Sequence, residues 1–177
     1  LLYLYFVKSK INIMKKTLFF IVALSLLVFA CGPVETSETA QKYHQALIDS
    51  QTTVDNAFVD LMDAMDWGVE AEILDAKDVA ETTLEKAIGE IEAMDDFDGK
   101  DEYKAEMLKL LDMYKDILEN ELSEMIDYII YFEDMTDEEW DYYYSLSDSM
   151  LDKYEKAHDE FATYQDEFAE EWEFTLI

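Results

Sequence analysis

The chain has 177 residues, with 13 basic residues, all lysine, against 43 acidic ones and a formal charge of −30. A surface built to hold nucleic acid or phosphate needs a basic patch and often bidentate arginine forks, so the balance and the absence of arginine exclude that class. The same charge opposes direct adhesion to an anionic membrane face, while 14% aromatic residues supply the apolar core that separates this chain from an acidic disordered one.

In chain order, residues 1–13 precede a better start at Met14 and read as an upstream extension of the reading frame. Met14-Lys15-Lys16 forms a short basic stretch, and Leu18 to Ala30 is apolar except for Ser25. That run suits a secretory signal over 14–30 and is shorter than the about 20 apolar residues a membrane-spanning helix needs. Val28-Phe29-Ala30-Cys31 then resembles the lipobox of bacterial lipoproteins, departing from it at Phe29, where a small residue is usual. The resemblance implies cleavage before Cys31, a diacylglycerol thioether on its sulfur, and stable anchoring by several acyl chains. Cys31 is the sole cysteine, so no internal disulfide competes for it. Gly32, not aspartate, follows it, which favours outer-membrane placement. All 43 acidic residues and nine of the lysines lie beyond Cys31, leaving −34 on that part.

Residues 31–39 read as a lipidated tether and 40–177 as an acidic helical domain. Glycine and proline are scarce, so long helices are expected. The first runs from about Glu38 to Trp67, with Tyr43, Leu47, Val54, Phe58, Leu61 and Met65 on one seam and Gly68 as its stop. The second, Val69 to Met94, carries Ile73, Ala80, Leu84, Ala87, Ile91 and Met94; Gly89 inside it either weakens the helix or permits close contact. Asp95 to Gly99 is a loop. The third helix, Asp101 to Glu133, uses Met107, Leu111, Tyr114, Leu118, Met125, Ile129 and Phe132. Thr136-x-x-Glu139 is a capping box opening a fourth helix that ends near Trp172. Its stripe is Trp140, Tyr143, Ser147, Met150, Tyr154, Ala157, Phe161, Tyr164 and Phe168. No segment reads as a strand. The expectation is an all-α, up-down-up-down four-helix bundle of long antiparallel helices, as monomer or homodimer.

Candidate sites are few. Asp96-x-Asp98-Gly99 has the look of a calcium loop, but aligning the glycine puts Met94 and Ala105 where ligating acids belong. The carboxylates Asp95, Asp96, Asp98, Asp101 and Glu102 are nonetheless the densest candidate for a divalent cation. Glu155-x-x-His158 is half of a di-iron motif, and the other histidine, His44, has Gln41 in place of glutamate three residues before it. Met62 or Met65 with His158 imitates a haem ligand pair. Trp140 and Tyr142-Tyr143-Tyr144 form a candidate interaction patch; plain packing would instead put two of the tyrosines beside the seam and the third over a helix end. No nucleophile elbow, phosphate loop or Cys–His pair occurs, so neither an enzyme nor a cofactor is expected. The signal and helix pattern together resemble the small all-helical surface lipoproteins of spirochaete-like and Bacteroidota-like bacteria. What the resemblance implies is a location, lipid-anchored in the cell envelope. An ordered core under a charge of −34, with no catalytic constellation, adds the expectation of a role through a protein partner, which charge alone would favour being basic. The alternative is a cation-binding envelope protein.

Overall fold

A computed structural model describes residues 35–131 and 135–176, and the expectations for the signal, the lipobox and Cys31 all concern residues outside these. The described chain is all-α. Its elements are α1 (Ser37–Trp67), α2 (Glu70–Glu92), α3 (Glu102–Ile117), a π-helical turn (Leu118–Leu122), α4 (Ser123–Tyr131) and α5 (Asp137–Glu171). With α3, the π turn and α4 taken as one rod, these are the four helices expected, each boundary within two residues of its expected place where it is described.

The ends follow from local chemistry. Thr36 caps α1 by accepting from the Thr39 amide, while Thr39 Oγ1 accepts from the Thr36 amide at 2.7 Å. Gly68 ends α1 in the left-handed conformation at φ 68°, where a Cβ would be strained. At α5 the capping box forms as expected: Glu139 Oε2 accepts from the Thr136 amide at 2.7 Å, and Thr136 Oγ1 from the Glu139 amide.

Cross-helix pairs establish direction. His44 meets Tyr103 and Asp55 meets Tyr114, so α1 and α3 run parallel. Tyr114 meets His158 and Glu121 meets Ser149, so α5 runs against them. Lys77 of α2 reaches Ser123 of α4, and Lys104 of α3 reaches the Met94 carbonyl just after α2. The shared core comprises Leu47, Val54, Leu61, Ile73, Ile91, Met107, Leu111 and their neighbours, all excluded from solvent.

One alternative is decided and two expectations are corrected. Gly89 has open space where a Cβ would stand, so it serves no close helix contact. The α5 stripe does not all face inward, since Trp140 and Tyr154 are exposed although their spacing matches the buried Met150, Phe161 and Phe168. Periodicity assigns a face but not how far a neighbouring helix extends to cover it. The third helix is interrupted by the π turn, whose wider pitch buries both Glu121 and Leu122. Phe132 lies outside the described residues.

Candidate functional site

The loop that offered the alternative cation site is organised as a helix connection. Lys104 pairs with Asp96 at 2.5 Å, Lys100 pairs with Glu171 at 2.5 Å, and Phe97 is buried against Phe168 and Trp172. Asp98 takes φ 53° and Gly99 φ 72°, the left-handed pair that reverses the chain. Asp95, Asp98, Asp101 and Glu102 are all exposed. Glu155 also faces solvent, whereas His158 is half-buried. Among the described residues no three His, Cys, Asp or Glu side chains converge as a metal would require.

The aromatic patch is larger than its sequence suggested. Antiparallel packing brings the end of α1, the start of α2, the end of α4 and the start of α5 to one end of the domain. Trp67 is 80% exposed there, Tyr131 70% and Tyr144 59%, with Val69, Trp140 and Tyr142 also open to solvent. Trp140 lies 5.8 Å, centroid to centroid, from both Tyr143 and Tyr144, and Tyr142 lies 6.0 Å from Tyr128. Of the three consecutive tyrosines only Tyr143 is half-buried, its hydroxyl pushed up by burial and by the nearby Asp66 carboxylate. Two exposed tyrosines replace the packing in which two would flank the seam. Asp63, Asp66, Glu70, Asp127, Asp137 and Asp141 are exposed on the same helix ends, and Asp66 lies near Tyr143. No lysine occurs between residues 43 and 76 or between 116 and 152, so this end carries acid without counter-charge.

Away from that end, polar groups that sequence reading missed sit between helices. The His44 Nδ1 lies 2.6 Å from the Tyr103 hydroxyl, and Tyr103 stacks on Phe161 and Phe168. Three turns further on, the Tyr114 hydroxyl donates to Asp55 and lies 2.8 Å from His158 Nε2. A phenol has one proton, so with that proton on Asp55 the histidine must donate from Nε2. Burial lowers both histidines below the usual imidazole range, although Asp55 and Asp159 oppose this at His158. Burial and the Asp55 carboxylate raise Tyr114 far above an ordinary phenol. The Tyr43 hydroxyl is buried with no hydrogen-bond partner among the described residues, and burial pushes it up to about 12. At the π turn, burial acts to raise Glu121, but bonds from Lys153 at 2.9 Å and Ser149 at 2.8 Å outweigh it and hold the carboxyl low.

A cleft of about 200 Å³ opens beside Asp55 and Tyr114, between α1, α3 and α5. No signal in the sequence pointed to it, because its walls come from positions 55–62, 114–117 and 150–154. No protein-family model, curated protein or solved structure matches the chain. No helix of the described residues is long and apolar enough to cross a membrane.

Proposed function

We propose that this protein is a lipid-anchored, non-enzymatic helical module of the bacterial cell envelope that binds a basic protein segment at its aromatic end. The observation that carries the reading is the exposure of Trp67, Tyr131, Trp140, Tyr142 and Tyr144 together, on an acidic end without lysine. Exposed aromatics of this size cost solvation unless something covers them, and aromatic residues are enriched in the centres of protein interfaces. Arginine fits both features, since its plane stacks on indole and phenol faces while its charge meets the surrounding carboxylates. The lipid on Cys31 supplies membrane attachment, which the acidic surface does not. The aromatic end is the far end of α1, about 46 Å along its axis at 1.5 Å per residue.

The test is titration of the purified protein with an arginine decapeptide and a lysine decapeptide at fixed ionic strength. The arginine peptide binds more tightly, and Trp67→Ser with Trp140→Ser weakens it at least tenfold without moving the thermal midpoint by more than a few degrees. Equal binding by the double variant would show that charge alone attracts the peptide and would overturn the aromatic docking site.

A further inference from the structure

We propose that the cleft between α1, α3 and α5 binds a small organic ammonium ion, its apolar body between the helices and its charge on Asp55. This site is separate from the aromatic end and does not depend on that reading.

Four features carry the assignment. The first is size: about 200 Å³ exceeds the roughly 150 Å³ of an engineered apolar cavity that takes up benzene, so one small ring with a short chain fits. The second is the wall. Phe58, Ile117 and Met150 are buried and apolar at the base, and thioethers such as Met150 and Met62 adapt to an irregular guest.

The third is the rim. Val59, Met62, Leu151 and Tyr154 are all substantially exposed, and all four line this one opening. On a surface otherwise so rich in carboxylate, such clustering marks a place where apolar contact with something is useful.

The fourth is charge. Asp55 is the one ionisable carboxylate lining the cleft, and among the described residues no lysine pairs with it. Its Oδ1 accepts from Tyr114, while Oδ2 receives only a long contact of 3.5 Å from Gln51. Burial lowers the pKa of His158, behind Tyr114, which disfavours a competing positive charge beside the carboxylate. A half-buried anion with an oxygen still able to accept repels a carboxylate ligand and favours an ammonium donor. The exposed Tyr154 ring at the rim adds an aromatic surface that attracts a cation.

The experiment is methyl NMR of methionine-labelled protein titrated with 2-phenylethylammonium at constant ionic strength. Two comparators separate the contributions: 2-phenylethanol has the body without the charge, and ethylammonium has the charge without the body. Binding in the cleft gives saturable shifts of the Met62 and Met150 methyls, with Met94 and Met125 unmoved, and each comparator binds at least tenfold more weakly. Asp55→Asn brings the ammonium down to the level of the alcohol. Val59→Lys, an exposed rim position, places a competing ammonium at the opening and abolishes binding without touching the core. Equal affinity for either comparator, shifts spread over all methionines, or unchanged binding in Val59→Lys would each overturn it.

Discussion

His44 and His158 each hang on a tyrosine of the same helix, Tyr103 and Tyr114, and the two tyrosines are 11 residues apart, three turns of α3. Both imidazoles have folded-state pKa values lowered by burial, so the neutral form is the one the fold prefers. The unfolded chain then takes up protons first as pH falls through about 6.5, and stability that is complete above that value declines below it. Relief of repulsion among carboxylates acts the other way as pH falls, so the comparison needs a reference. In urea titrations the wild type loses stability between pH 7.5 and 5.5 relative to the His44→Gln/His158→Gln variant. Parallel pH profiles for the two proteins would show that neither histidine is held neutral by the fold. Neither pairing was legible from sequence: His44 is 59 residues from Tyr103 and His158 is 44 from Tyr114, distances over which periodicity carries no information.

At the level of the element, the informative departure is the π turn at Leu118–Leu122. The spacing of Met107, Leu111, Tyr114, Leu118 and Met125 is regular enough to be read as one uninterrupted helix, and all five are buried as that reading requires. What it misses is Glu121, turned inward and held by Lys153 and Ser149 of α5, with Lys153 also bound to Asp116. A buried carboxylate stripped of its cation loses more than an ordinary hydrogen bond. Lys153→Met therefore costs about 1–3 kcal/mol in urea unfolding. Replacing both partners, Glu121→Leu with Lys153→Met, recovers most of that loss, because apolar groups of similar size need no counter-charge. A double variant no more stable than the single one would place the cost in packing instead of charge. The capping box at Thr136 shows the opposite case, where a four-residue motif specified its structure in full.

For the molecule as a whole, acidic self-repulsion governs how stability responds to salt. The part beyond Cys31 carries −34, and the ion pairs of the described residues are mostly exposed contacts between helical neighbours, each worth well under 1 kcal/mol. Repulsion therefore outweighs attraction at low salt. Raising sodium chloride from about 0.01 to 1 M shortens the screening length from about 30 to 3 Å, and the thermal midpoint rises by several degrees. A midpoint that falls with salt would mean that the lysine pairs, few as they are, outweigh the repulsion.

Secondary structure depends on neighbours three and four residues away and on caps and breakers at the ends, so the sequence by itself determined the four helical segments, their limits where these are described, and most of the buried face. Gly68, Thr136 and the seam of α1 were all visible in that way. Whether a stripe residue is covered depends instead on where other helices stop, and so only tertiary structure decided that Trp140 and Tyr154 are exposed. The same holds for the gathering of Trp67, Tyr131 and Tyr144 at one end, which requires three separate helix termini to meet. The Asp55 cleft follows the same rule: its base, wall and charge come from three helices, and their meeting is a property of packing that no local pattern encodes.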